Sequence, residues 1–120
     1  MVKNSGKIAP YLPQRGDIVW VDFDPSQGVE IKKTRPALII SPLSYNQKVG
    51  LVLACPITSH PKGYPFEVTL SSQKKVKGVI LADCIKSLDW KARKIRFEEK
   101  ASPEVVSEVT ERLLLLIDVF

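Results

Sequence analysis

An arginine at 35, a threonine at 58 and a glutamate at 30 are the residues of this chain whose types combine into a reaction. A guanidinium fork matches phosphate oxygens and keeps its charge at any cellular pH. A threonine hydroxyl donates one further hydrogen bond. A carboxylate takes up a proton when burial and a neighbouring field tune its affinity. Metal-free cleavage of an RNA phosphodiester needs these functions: loss of the 2′-hydroxyl proton, a stabilised five-coordinate phosphate and a neutralised 5′-oxygen. As bare residues the trio does not select that reaction. An arginine in a loop is most often a solvated charge, and a threonine after a β-branched residue is usually plain strand.

Other chemistries find less support. With one histidine, a paired-histidine nuclease is excluded. Neither a Gly-x-x-x-x-Gly-Lys-Ser/Thr phosphate loop nor a Gly-x-Gly-x-x-Gly turn is present. Cys55 and Cys84 lack zinc-site spacing, and their apolar neighbours predict that both are small buried side chains in a reducing compartment. Asp22 and Asp24 fall on one strand face, a pattern that is more often solvated than metal-binding. The expectation is of no cofactor and no metal.

The elements that must hold these residues are mostly strands. Ile18–Phe23 is β-branched and aromatic with apolar residues at both parities, which predicts a strand covered on both faces. Pro25–Gly28 breaks it. Pro36 keeps Arg35 extended at the mouth of a second strand, Ala37–Ser41, which Pro42 stops. Leu51–Thr58 reads as a third strand that delivers Thr58 at its end, followed by a loop, Ser59–Pro65. Phe66–Leu70 alternates with period two. After a basic turn at Gln73–Lys77 come Gly78–Asp83, Ile85–Leu88 and Lys94–Phe97. Ser102, Pro103 and Glu104 signal the start of a helix, along which Val106, Val109, Leu113, Leu116 and Phe120 recur at helical spacing. Its end, Leu113–Ile117, is apolar all round, which predicts one face on the sheet and another against a partner subunit; loops of the same chain are the alternative cover. Six or seven short strands and a terminal helix indicate a mainly β fold with a C-terminal α-helix, curled into a small barrel.

The chain's 120 residues suit a single domain over 1–120, with residues 1–10 as a loose arm. Eighteen Lys+Arg against thirteen Asp+Glu give a net charge of +5, suited to a polynucleotide but not proof of one. The longest apolar runs, Leu51–Cys55 and Leu113–Ile117, fall far short of the ~20 residues of a membrane span. The N-terminus has no apolar segment of signal-peptide length, so the expectation is a cytoplasmic protein with no membrane partner.

Three stretches then carry a resemblance: Gly16-Asp17-Ile18-Val19-Trp20-Val21-Asp22-Phe23-Asp24-Pro25, Gly28-Val29-Glu30, and Thr34-Arg35-Pro36-Ala37-Leu38-Ile39-Ile40-Ser41. Pro56-Ile57-Thr58, Lys62-Gly63-Tyr64-Pro65-Phe66-Glu67-Val68 and Gly78–Asp83 extend it. In that order they strongly resemble the MazF/PemK family of toxin ribonucleases, from about Tyr11 to the C-terminus, and the Lys62–Val68 segment resembles the MazF branch. The resemblance implies a homodimer with an SH3-like barrel of the CcdB/PemK type. It implies metal-independent cleavage of single-stranded RNA, chiefly mRNA, leaving a 2′,3′-cyclic phosphate and a 5′-hydroxyl. It also implies a cognate MazE/PemI-like antitoxin that lays an extended acidic C-terminal segment over the RNA site. By position it makes Arg35 and Thr58 catalytic, with Glu30 as the loop glutamate. An RNA cleft between Asp24–Arg35 and Ser59–Pro65 would be contacted by Phe23, Asp24, Gln27, Lys32, Lys33, Ser59, Lys62 and Tyr64. Asp83 and Lys86 match a family segment in which many members carry Gln where this chain has Cys84, so a structural role is expected at 84. Two alternatives stay open: a gyrase poison of the same fold, against which the Ile117-Asp118-Val119-Phe120 ending argues, and a non-catalytic regulator that binds nucleic acid.

Overall fold

A computed structural model describes residues 10–22, 34–70 and 75–117. Its elements run β1 (Asp17–Asp22), β2 (Thr34–Ile39), α1 (Leu43–Val49), β3 (Leu51–Thr58), β4 (Glu67–Thr69) and β5 (Val79–Leu81). A 3₁₀ turn at Ala82–Cys84 then leads to β6 (Lys86–Asp89), β7 (Arg96–Lys100) and α2 (Pro103–Ile117). Every strand pair is antiparallel, in the order β4-β5-β3-β2-β1-β7. The hub is β3. Its first half, Leu51–Ala54, pairs with β6, its last residues, Ile57 and Thr58, pair with β5, and β2 runs along it through Ala37–Ile39. One long strand shared in this way bends the sheet on itself, the expected barrel-like, mainly β architecture with a C-terminal helix.

Both faces of the central strands are buried. Ile18, Leu38, Cys55 and Ile80 point into one core, closed by Val105, Val109 and Leu113 of α2. Their sequence neighbours Val19, Ala37, Ile39 and Ala54 point into a second core with Leu88, Trp90 and Ile95. This is the two-sided cover that apolar residues at both parities predict for the first strand. The helix starts as expected: the Val105 amide donates to Ser102 Oγ at 3.3 Å.

Several boundaries move. The second strand begins at Thr34, not Ala37, because β1 pairs with it out to Val21–Arg35 and Asp22–Thr34. The expected strands Phe66–Leu70 and Gly78–Asp83 shorten to β4 and β5, and Lys94–Phe97 shifts to β7 at Arg96–Lys100. The helix α1, unassigned in the sequence reading, is anchored by the fully buried Asn46. Its side-chain amide donates to the Pro13 carbonyl at 2.8 Å and the Ser41 carbonyl at 3.1 Å, and its main-chain carbonyl accepts from Trp90 Nε1 at 3.0 Å.

Cys55 is buried as expected, and its thiol is pushed up to about 12 chiefly by that burial. Cys84 is exposed, against expectation, because the 3₁₀ turn carries it out of the strand alternation. On α2 the core-facing stripe is Val105, Val109 and Leu113, while Leu116 is 50% exposed. Leu114, Leu115 and Ile117 are 51%, 73% and 67% exposed, so among the described residues no loop of the same chain covers that end. Of the expected arm over residues 1–10, residues 1–9 lie outside the described residues, as does Phe120. No helix among the described residues is long and apolar enough to cross a membrane.

Candidate active site

The site begins with a proline. Pro36 has no amide hydrogen to donate, and the β2–β3 ladder stops beside it, its last rung being Ala37–Pro56. Beyond that rung the two strands are no longer paired, although each is held on its other side. Arg35 stays paired with Val21 of β1, and Thr58 with Val79 of β5. Side chains alternate with period two, so Arg35 shares a face with Ala37, and Thr58 shares a face with Pro56. Carrying the register past the last rung puts Arg35 and Thr58 on one face of the sheet, at the end where β2 and β3 are no longer bonded to each other.

A cleft of about 310 Å³ occupies this open end. Arg35, Thr58, Ser59 and His60 line it, with Trp20 from β1 and the Lys75–Lys77 segment opposite. Its charged lining is Arg35, Lys75 and Lys77, with no carboxylate among the described residues. Arg35 is exposed and has no ion-pair partner among the described residues. Such a cleft attracts a phosphate backbone and has donors to hold it.

Thr58 is fixed from two directions. Its Oγ accepts from the His60 amide at 3.1 Å, so the hydroxyl proton remains to be donated. Behind it, Gly78 has φ +122°, and a Cβ there would lie 2.1 Å from the Thr58 carbonyl oxygen. Only glycine allows β5 to begin so close to the end of β3. The opposite wall is held by β7. Glu98 accepts from Trp20 Nε1 at 3.0 Å, and Glu99 accepts from the Lys75 and Val76 amides at 3.1 and 2.8 Å.

A second hollow of about 550 Å³ shares Ser59 with the first and is lined by Pro61, Gly63, Tyr64 and Glu67. Glu67 secures this loop, accepting from the Lys62 amide at 2.9 Å and the Gly63 amide at 3.0 Å. Tyr64 is 57% exposed, with its ring available to a base. Of the expected site residues, the fold thus brings Arg35, Thr58 and Ser59 to one cleft and sets Lys62 and Tyr64 in the adjoining loop. Glu30, Phe23, Asp24, Gln27, Lys32 and Lys33 lie outside the described residues. His60 lies in the expected loop Ser59–Pro65 without having been singled out, and the sequence reading missed Trp20, Lys75 and Lys77 as lining residues. Of these, only the lysines carried a signal, the basic turn at Gln73–Lys77.

Comparison with known proteins shows the family to which this fold belongs. Residues 14–117 match the model of the PemK-like, MazF-like toxins of type II toxin-antitoxin systems. The chain belongs to this family. The endoribonuclease toxin MazF of Escherichia coli K12 is 44% identical over 110 residues, covering 92% of this chain and 98% of that protein. The crystal structure of MazF from Deinococcus radiodurans superposes with a TM-score of 0.82 at 45% identity, over 92% of this chain and 100% of that one. A MazE-MazF complex from the same organism gives a TM-score of 0.83 at 44% identity, over 92% of this chain and 100% of the matched one. The open strand end with its arginine and threonine is thus set in a MazF-like fold.

Proposed function

We propose that this MazF-like chain is the toxin of a type II toxin-antitoxin system and cleaves single-stranded RNA, chiefly mRNA, without a metal ion. The products are a 2′,3′-cyclic phosphate and a 5′-hydroxyl. One observation carries the reading: Arg35 and Thr58 line one cleft at the unpaired end of β2 and β3, and the charged lining of that cleft is entirely cationic among the described residues. Arg35 neutralises the charge that builds on the five-coordinate phosphate. Thr58 donates to a phosphate oxygen and orients the scissile group. Glu30 takes the 2′-hydroxyl proton. Lys62 and Tyr64 extend the RNA path, the lysine toward phosphate and the tyrosine as a stacking surface.

The partners follow from the same reading. A MazE/PemI-like antitoxin with an acidic C-terminal segment covers the cationic cleft. A second copy of the chain covers the exposed apolar end of α2. Both toxin and RNA reside in the cytoplasm.

The test is incubation of the purified protein with single-stranded RNA in EDTA, followed by end-group analysis. Cleavage with cyclic-phosphate ends is expected. Protected but uncut RNA would replace the enzyme with a binding module, and trapped cleaved DNA in the presence of gyrase would replace it with a gyrase poison. Arg35→Ala is expected to abolish cleavage and leave the circular-dichroism spectrum unchanged, and normal turnover in that variant would remove the assignment.

A further inference from the structure

Breaking the P–O5′ bond leaves an alkoxide that needs a proton, and the cleft offers few groups able to give one. Arg35 holds its protons too tightly to serve as an acid. The other donors that line the cleft are two lysines and hydroxyls, side-chain types that do not ordinarily give up a proton near neutral pH. An imidazole is the side chain whose ordinary chemistry moves a proton between pH 5 and 8. The chain's single histidine, His60, lines this same cleft.

Local geometry fixes its place. The His60 amide donates to Thr58 Oγ at 3.1 Å, tying the histidine to the residue set to hold the scissile phosphate. On the ring, Nδ1 is 3.2 Å from Ser59 Oγ. With Nδ1 engaged, Nε2 is the nitrogen left to meet a ligand. The charged groups that line the cleft with His60 are Arg35 from β2 and Lys75 and Lys77 from the segment before β5, with Glu98 of β7 3.9 Å from the Lys75 ammonium, while Trp20 from β1 is neutral. A bound phosphodiester brings the opposing negative charge into this setting.

We propose that His60 is the general acid of the cleavage, an inference that rests on the ribonuclease reading above. The 2′-oxygen, losing its proton to the base, forms the new bond to phosphorus. The P–O5′ bond breaks, and its electron pair takes the proton of the imidazolium Nε2. The 5′-hydroxyl product leaves a neutral imidazole, which solvent reprotonates.

The test compares the wild type with His60→Gln, which keeps a side chain able to hydrogen-bond on an exposed loop. Once the wild type has located a cleavage site, two RNAs are made, one with the natural 5′-oxygen linkage there and one with a bridging 5′-sulfur. A thiolate departs without protonation. The variant is expected to cut the oxygen substrate about 10²-fold or more slowly and the sulfur substrate close to the wild-type rate. The alkaline fall of the wild-type pH–rate profile should also be absent from the variant. Equal slowing on both substrates would make His60 a contact or positioning residue and overturn the proposal, as would an undiminished rate on the oxygen substrate. A wild type that cuts neither RNA would instead bring down the ribonuclease reading, and this inference with it.

Discussion

In the proposed reaction Arg35 and Thr58 divide the work on the phosphate, and their substitutions should separate. The arginine supplies charge, so its loss removes turnover outright. The threonine supplies one aimed hydrogen bond, whose removal from a charge-stabilising site costs about 10²-fold in rate. Thr58→Val keeps the branched shape and is expected to lower the single-turnover rate by that order while RNA affinity falls much less. Wild-type turnover in this variant would reject the role. The positions of Arg35 and Thr58 at strand ends were legible in the sequence, since a proline follows one and the third strand ends on the other, but their catalytic roles rest on the family resemblance. Trp20 was not legible, and His60 was so only as a member of the loop Ser59–Pro65. Trp20 lies in a run that reads only as strand, and the contacts that place it, to Glu98 of β7, are 78 residues away in the chain. Cys84 misled for a related reason: apolar neighbours forecast burial, but a tight turn carries it outward.

At the scale of elements, the site depends on two backbones that touch. β5 starts against the last carbonyl of β3, and a methyl group at Gly78 would overlap it. Gly78→Ala is expected to destabilise the protein by roughly 1–3 kcal/mol in urea unfolding. The same variant should lower cleavage further than Thr58→Val does, since it moves the whole Thr58–His60 corner. A variant of unchanged stability and rate would show that β5 does not position the site. The strands were legible in the sequence through their β-branched runs and proline stops, to within a few residues. The short helix α1 was not, because Leu43–Val49 lacks an amphipathic repeat. It is held by the buried hydrogen bonds of Asn46, which long-range packing alone creates. The β2–β3 opening was half legible: Pro36 announced a break, but only the register with β3 shows that the break faces Thr58.

For the whole molecule, the exposed end of α2 sets the assembly. Four consecutive apolar side chains, Leu114 to Ile117, are each at least half exposed, and a soluble surface rarely tolerates such a patch uncovered. In sedimentation velocity the protein is expected to run as a dimer, and Leu115→Lys is expected to shift it to monomer. A variant that stays dimeric would place the interface elsewhere. The apolar run made the exposed end of α2 legible in the sequence.

β7 borders β1 on one side and is the last strand in the sheet order. A bare strand margin is a template on which identical chains stack into insoluble fibres, and charge is one natural protection against it. Arg96, Glu98, Glu99 and Lys100 crowd this margin. Two of those carboxylates also brace the cleft wall, through Trp20 and the Lys75–Val76 amides. A substitution that strips the charge of this margin at Glu98 or Glu99 therefore also loosens the wall of the candidate cleft.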